Sequence, residues 1–323
     1  MIFLNEREVA SLLPIGDVLS ALEGAFRAQA AKQIRMPLRT VATTDGGILG
    51  AMPGSIAGES AALGAKLVTF FTGNAATGMH THQALVALFD PRTGQPQAIM
   101  DGRFITEIRT AAASALATRA LARPDARVVA ILGTGVQARA HMSALREVMH
   151  IEELRVWGRT QTKAAALVDF AGKCELRARV AASPSDACRG AGVVCTVTSA
   201  RDPILASSDI DSGTHVNAVG MSGPTARELP GELMARATIV VDSMDGALNE
   251  SANIILAMRE SRLPAKPALT LLCDVIAGKA PGRRSHDDIT IFDSLGIAIE
   301  DVACARLVYE RALAGGVGKQ LTL

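Results

Sequence analysis

Apolar residues recur along this chain with two spacings, and the order in which those spacings alternate divides it. Across residues 8–31 they return every three or four positions, the spacing of one helix face. Short apolar runs at residues 47–51, 65–71 and 84–89 then predict strands. They follow one another with no helix between, separated by the turn formers Thr72-Gly73-Asn74 and Asp90-Pro91-Arg92-Thr93-Gly94. That succession predicts an antiparallel or mixed sheet. An alanine-rich helix over residues 105–122 leads to Arg123-Pro124-Asp125, a hinge by composition.

Beyond the hinge the pattern becomes strand, helix, strand, helix. Strands are expected at 127–132, 154–158, 178–182, 193–198, 215–219 and 238–242, with helices at 136–149, 161–173, 184–191 and 230–237. Such alternation implies parallel strands joined by right-handed crossovers, an α/β fold with a doubly wound parallel sheet. A last strand at 288–292 precedes Asp293-Ser294-Leu295-Gly296 and a closing helix over 297–313 that returns to the first domain. The expected division is a mixed α+β domain over residues 1–120, completed by 300–323, and a doubly wound domain over 121–299.

Composition narrows the function classes. With 323 residues, 49% of them hydrophobic, the chain can bury two cores. Its 33 basic residues meet 32 acidic ones with no basic block, so a nucleic-acid partner is not expected. No apolar run approaches the roughly 20 residues that cross a bilayer. Glu6, Arg7 and Glu8 interrupt any secretory segment. Five cysteines, at 174, 188, 195, 273 and 304, form no C-x-x-C pair. They predict a reducing compartment, the cytoplasm, and no structural zinc.

The first chemistry is carried by Gly133-Thr134-Gly135-Val136-Gln137-Ala138, between the apolar strand and an amphipathic helix. In a G-x-G-x-x-G/A turn the first glycine permits the bend, the second admits a pyrophosphate to the backbone, and a small third residue allows close helix packing. The context is that of a Rossmann unit. The second strand of such a unit usually ends in an acid that holds the ribose hydroxyls. Here it ends Val156-Trp157-Gly158-Arg159-Thr160, with Lys163 a turn later. The cations are either an ordinary solvated loop or a seat for a 2′-phosphate at a helix N-terminus. The second predicts NADP(H) as the preferred cofactor, with NAD(H) possible.

Three cations in the first domain stand against local rules. Arg39 follows Met36-Pro37-Leu38, Lys66 interrupts an apolar strand, and Arg109 lies in the alanine-rich helix near its dipole-disfavoured end. Each alone reads as a solvated residue; together they can clamp a carboxylate. His80 and His82 share one strand face without an acidic or cysteine partner, so no metal is expected, and His82 is read as a cofactor or substrate contact.

Several blocks resemble the ornithine cyclodeaminase and mu-crystallin family over nearly the whole chain. They are Met36-Pro37-Leu38-Arg39-Thr40, Lys66-Leu67-Val68-Thr69-Phe70, His82-Gln83-Ala84, Met100-Asp101-Gly102, Arg109-Thr110-Ala111-Ala112, the glycine turn at 133–138, Asn217-Ala218-Val219-Gly220 and Phe292-Asp293-Ser294-Leu295-Gly296. The resemblance implies a homodimer whose first domain supplies the subunit interface and the substrate pocket. It gives Arg39, Lys66 and Arg109 the substrate carboxylate. It places Thr81, His82, Thr198, Ser199, Val219 and Leu295 beside the cofactor, the last two near the nicotinamide. Glu250 matches a substrate-side position, although a helix-capping role fits the sequence as well.

One departure bears on the reaction. Ornithine cyclodeaminases carry an aspartate two residues after the glycine that ends the strand matching 217–220; this chain reads Gly220-Met221-Ser222 there. A hydroxyl is no base near neutral pH, and the ketimine reductases of the mu-crystallin branch resemble the chain at this point. The resemblance therefore implies NAD(P)H-dependent reduction of a cyclic ketimine carboxylate, Δ1-pyrroline-2-carboxylate or Δ1-piperideine-2-carboxylate, to an L-imino acid. Lys66 is the expected proton donor, directly or through a water, with Arg109 and Ser222 completing the catalytic set. An ornithine cyclodeaminase or amino-acid dehydrogenase of the same family, and a non-catalytic NADPH-dependent binding protein, are the alternatives.

Overall fold

The structure, a computed structural model, describes residues 1–220 and 223–322. Two compact units emerge, Met1–Arg109 with Gly296–Leu323, and Thr110–Leu295.

The first unit opens with β1 (Ile2–Leu4), α1 (Glu6–Leu12) and α2 (Ile15–Ala30). The single helix expected over 8–31 is thus two. Pro14 offers no amide hydrogen and disfavours helical backbone at Leu13, whose φ of −121° and ψ of 65° end the first helix. Asn5 and Glu8 close a capping box at the start of α1, their side chains accepting from each other's backbone N–H. Next come β2 (Ile34–Arg35), β3 (Thr40–Thr43), β4 (Ile48–Ile56), β5 (Ala62–Phe70), β6 (His82–Phe89) and β7 (Pro96–Asp101), then α3 (Arg103–Leu121).

The second unit holds β8 (Val128–Leu132), α4 (Val136–Arg146), β9 (Glu153–Trp157), α5 (Gln161–Lys173), β10 (Ala178–Val180), α6 (Pro184–Cys188), β11 (Val193–Thr196) and β12 (His215–Ala218). It continues through α7 (Gly231–Arg236), β13 (Ala237–Val241), α8 (Met244–Glu250), α9 (Ala252–Arg259), β14 (Leu269–Leu271), α10 (Leu272–Ile276) and β15 (Ile289–Asp293). The chain then returns to the first unit with α11 (Ala298–Gly315) and β16 (Lys319–Gln320).

In the first unit the sheet runs β16-β1-β7-β6-β5-β4-β2, with β3 beside β4. It is mixed: β4 to β7 pair antiparallel, whereas β1 joins β7 in parallel. Small residues let α11 lie close on this sheet. A Cβ on Gly54 would come within 3.0 Å of the Ala298 Cβ, and one on Gly64 within 3.4 Å of Val302 Cγ2. Close approach brings the first turn of α11 to Lys66, on the same face of β5 as Gly64.

In the second unit all eight strands are parallel, in the order β10-β9-β8-β11-β12-β15-β13-β14. Residues of β8, β11, β12 and β15 are almost wholly buried on both faces of the sheet. Strand order reverses between β8 and β11, the switch point where ligands of doubly wound sheets bind at the carboxyl ends of the strands.

The expected boundary at residues 120–121 lies at 109–110 instead, inside α3, and the return lies at 295–296 instead of 299–300. Alanine spacing marks a helix but not where its neighbours change; the buried residues 110–118 of α3 belong with the second unit. The predicted strands and helices of the second unit occur with ends shifted by up to a few residues, while α8, α9, α10 and β14 were not foreseen. Among the described residues no single helix is long and apolar enough to cross a membrane.

Candidate active site

At the switch point of the second unit, Gly133 has φ of +132°, and a Cβ there would lie 2.6 Å from the carbonyl oxygen of Val197, in the loop after β11. Only glycine satisfies both demands. A Cβ on Gly158 would lie 2.5 Å from Thr134 Cγ2, so the loops after β8 and β9 also touch. Gly135 contrasts with both. It caps the N-terminus of α4 with no side-chain hydrogen bond, and a Cβ there would meet nothing within 4 Å. The space beside Gly135 at the helix N-terminus is open, as the approach of a pyrophosphate requires. Val136 and Gln137 begin α4, and Ala138 is fully buried as the small third position. Gln137 Oε1 and Ser294 Oγ are buried and find no hydrogen-bond partner among the described residues, as ligand-contacting atoms would. The turn therefore fits a dinucleotide.

At the N-terminus of α5, Arg159, Thr160 and Lys163 are exposed, and Thr160 makes no side-chain cap bond. Thr198, after β11, is committed elsewhere: its backbone N–H and its hydroxyl both donate to Glu228 Oε1 at 2.6 Å. Glu228 Oε2 accepts from Gly220 N–H at 2.9 Å. This buried carboxylate, unforeseen in the sequence, ties together the loops after β11 and β12. Burial pushes its pKa up, against the donors of Thr198, Thr196 and Gly220. Val219 and Leu295 line one pocket with Gly220, Glu228, Asp293 and Ser294. Burial also raises Asp293, which accepts from the Ser251 hydroxyl and the Asn253 amide. Leu295 N–H donates to Asp242 Oδ2 at 2.8 Å. Ser199 is exposed beside Thr198. Glu250 is the last residue of α8, half-buried, its carbonyl accepting from Gly223 N–H at 2.9 Å. Ser222 lies outside the described residues.

The first unit gathers the three cations. Lys66 on β5 is 2% exposed and Arg109 on α3 is 5% exposed. Arg39 is half-buried, and its Nη2 donates to the Gly296 carbonyl at 3.1 Å. Gly296 has φ of +75°, and a Cβ on it would lie 2.5 Å from Arg109 Nη1; a glycine here lets the chain pass over the guanidinium. What the sequence reading missed is the counter-charge. Glu300 and Asp301, in the first turn of α11, are fully buried against these cations. Asp301 Oδ2 lies 2.8 Å from Lys66 Nζ, Asp301 Oδ1 lies 3.1 Å from Arg109 Nε, and Glu300 Oε2 lies 2.6 Å from Arg109 Nη1. A signal was available: adjacent acids at the dipole-favoured end of a helix whose first two turns are otherwise apolar.

Burial, and after it the Arg109 charge, push Lys66 down to about 8, while Asp301 holds it up. His82, at the start of β6, is pushed down to about 4, first by burial and then by Lys66 and Arg109, so its ring is neutral at pH 7. The Thr81 carbonyl accepts from Phe71 N–H at 2.8 Å, and the exposed His80 carbonyl accepts from Asn74. Within this unit Arg39, Lys66, Arg109 and His82 thus share one electrostatic environment, suited to an anion.

Comparison with known proteins gives these two geometries a family. Residues 1–316 match the model of the ornithine cyclodeaminase/mu-crystallin family. The chain is 42% identical over 279 residues to the ketimine reductase mu-crystallin of Mus musculus, covering 86% of this chain and 85% of that one. The solved Δ1-pyrroline-2-carboxylate reductase of Thermococcus litoralis, in complex with NADH and L-proline, superposes with a TM-score of 0.96 at 35% identity, covering 99% of this chain and 100% of the other. An archaeal alanine dehydrogenase dimer with bound NAD gives 0.94 at 35% identity, covering 100% and 99%. The glycine turn, the parallel sheet, the gathered cations and these likenesses agree: the chain belongs to the ornithine cyclodeaminase/mu-crystallin family.

Proposed function

We propose that this chain is an NAD(P)H-dependent oxidoreductase that reduces the C=N bond of a cyclic ketimine carboxylate, Δ1-pyrroline-2-carboxylate or Δ1-piperideine-2-carboxylate, to the L-imino acid. The observation that carries the reading is the buried meeting of Lys66 and Arg109 at the start of α11, where the Asp301 carboxylate bridges them with the contacts a substrate carboxylate would use. Relatives named ketimine reductase and Δ1-pyrroline-2-carboxylate reductase support the reaction class. The serine at 222 supports reduction over ornithine cyclisation, because a neutral hydroxyl cannot accept the amine proton that cyclisation releases.

The chemistry the dinucleotide supplies when bound is a hydride for the imine carbon. The residues of this chain do the rest. The backbone from Gly133 to Gln137 holds the pyrophosphate, with Val219 and Leu295 bordering the nicotinamide and Thr81, His82, Thr198 and Ser199 beside the cofactor. Arg159, Thr160 and Lys163, beside Gly158, take a 2′-phosphate, which favours NADPH over NADH. Arg39, Lys66 and Arg109 fix the substrate carboxylate, and Glu250 stands on the substrate side. Lys66, held near pKa 8, can give up a proton at neutral pH, directly or through water, to keep the imine nitrogen protonated. The working unit is a homodimer, as in the archaeal alanine dehydrogenase, and its five unpaired cysteines suit the cytoplasm.

Loss of nicotinamide absorbance across a panel of cyclic and acyclic ketimines, with NADPH and with NADH, tests the reading. Oxidation confined to the cyclic carboxylates, faster with NADPH, is expected. Ammonia release from ornithine at a comparable rate makes the chain a cyclodeaminase, and tight NADPH binding with no oxidation makes it a binding protein.

A further inference from the structure

Two buried cations, Lys66 and Arg109, with half-buried Arg39 in the same environment, repel one another, and the buried pair lose their hydration, so the site stands only if opposite charge enters it. The first turn of α11 brings such charge to Lys66 and Arg109. Glu300 and Asp301 are adjacent, yet they divide the work. Glu300 Oε2 lies 2.6 Å from Arg109 Nη1. Asp301 touches both partners, with Oδ2 on Lys66 Nζ at 2.8 Å and Oδ1 on Arg109 Nε at 3.1 Å. Lys66 leaves β5 and Arg109 leaves α3; the two are linked through this carboxylate. Asp301 is itself held by close sheet packing, because Gly54 and Gly64 admit α11 to the sheet at Ala298 and Val302.

We infer that Asp301 is the positioning residue of the anion site: its two oxygens set the separation of Lys66 and Arg109 and keep Lys66 protonated to receive a substrate carboxylate. The inference rests on reading the site as one for a carboxylate. Asp301 does not contact the reacting atoms; it acts through the two cations. The charged groups around Lys66 support the role. Arg109 and Arg39 push its proton off, neutral His82 adds no charge, and Asp301 opposes them from α11. The Asp301 carboxyl is raised by burial, yet Arg109 and then Lys66 bring it below the ordinary carboxylate range, so it is ionised throughout the neutral region. A cation at this spot without Asp301 would be desolvated and beside two guanidinium groups, and its neutral form would prevail at lower pH.

The test uses the full chain and needs no turnover. The Lys66 Cε and Nζ resonances, assigned by their loss in Lys66→Met, are followed against pH. Pyrrole-2-carboxylate, a planar monocarboxylate that cannot accept hydride, is titrated by calorimetry with NADPH present. In Asp301→Asn the Lys66 titration is expected to fall by about 1 unit or more, the usual effect of losing an opposite charge at this range. Affinity for pyrrole-2-carboxylate is expected to drop about tenfold or more. Glu300→Gln should move the Lys66 titration by less than a third as much. An unmoved titration in Asp301→Asn, or an equal shift in Glu300→Gln, overturns the inference. If Asp301→Asn does not fold, Asp301→Glu answers instead: it keeps the charge but lengthens the bridge, so Lys66 stays protonated while the carboxylate probe binds more weakly. Unaltered binding in that variant overturns the positioning role. Because neither readout uses the reaction, inactivity toward ketimines with these shifts intact would sink the proposed reaction and leave Asp301 in place; turnover without the shifts would do the reverse.

Discussion

The two units bury carboxylates in opposite ways. In the first, Asp301 and Glu300 face Lys66 and Arg109, and Asp301 lies below its ordinary pKa because the attraction exceeds the cost of burial. In the second, Glu228 and Asp293 meet neutral donors among the described residues, amide N–H groups, hydroxyls and the Asn253 side chain, and both lie above their ordinary values. Charge paired with charge builds a site that can exchange one anion partner for another. A carboxylate wrapped in backbone N–H groups instead fixes loops: Glu228 joins the ends of two neighbouring strands, where a cofactor needs an unmoving wall.

The contrast breaks most visibly at Lys66. Lys66→Met strands Asp301 with half its counter-charge, and one-sided loss of a buried ion pair typically costs about 3 to 5 kcal/mol. Denaturant unfolding should show a loss in that range. A loss under about 1 kcal/mol would mean that the pair carries no more than a surface bridge does. The pH dependence has a definite sign. Lys66 binds its proton below about pH 8 and loses it above. Since its folded pKa is depressed, the unfolded chain binds more protons between about pH 8 and 10.5, and stability contributed by this group rises with pH across that window. Anion binding goes the other way, so kcat/KM for a carboxylated imine should fall above about pH 8. Flat behaviour from pH 7 to 10 would remove Lys66 from the site.

Next in size is Arg109→Lys. An ammonium cannot span Glu300 and Asp301 as the planar guanidinium does, and the loss in kcat/KM should be about 2 to 3 kcal/mol, the range of a charged hydrogen bond. If carboxylated and decarboxylated imines keep their wild-type ratio in this variant, Arg109 does not hold the carboxylate.

In the second unit the corresponding change is milder. Glu228→Gln retains an acceptor for Thr198 but turns an amide donor toward Gly220 N–H, or the reverse, leaving one unmatched donor at about 1 to 3 kcal/mol. The sign of the pH effect also differs. With a raised folded pKa, Glu228 favours the folded state most while protonated, and its contribution falls as pH rises through the carboxylate range. The glutamine variant should therefore lose part of the wild type's pH dependence of stability there. An unchanged profile would show that Glu228 is ionised at the same pH in both states.

The same contrast explains what could be read from the sequence. The glycine turn was legible because its demands are local: Gly133 needs its φ and its contact with the next loop, and the strand before and helix after it are adjacent in the chain. The odd cations Arg39, Lys66 and Arg109 were also legible, as violations of local rules. Their partners were not, because Asp301 stands 192 positions from Arg109 and is joined to it only through folding. Glu228 was hidden for the same reason, 30 positions from Thr198 and unmarked by any motif. The helix break at Pro14 was missed although the residue was in plain view, because apolar periodicity continued through it.

The smallest effect expected concerns the exposed end of the second unit. Arg159, Thr160 and Lys163 stand at the N-terminus of α5, and Arg159 and Lys163 are open to solvent. Their charges are screened by water and salt, unlike those around Asp301, so each contributes little on its own. A 2′-phosphate brings them a doubly charged partner and also satisfies N–H groups that Thr160 leaves uncapped, whereas the 2′-hydroxyl of NADH does neither. Arg159→Ala should therefore weaken NADPH binding about fivefold to tenfold and leave NADH nearly unaltered. Raising the salt concentration should shrink the difference between wild type and variant, because the lost contact is a screened one. Equal losses for the two cofactors would return these residues to an ordinary solvated loop, and the preference for NADPH would need another source.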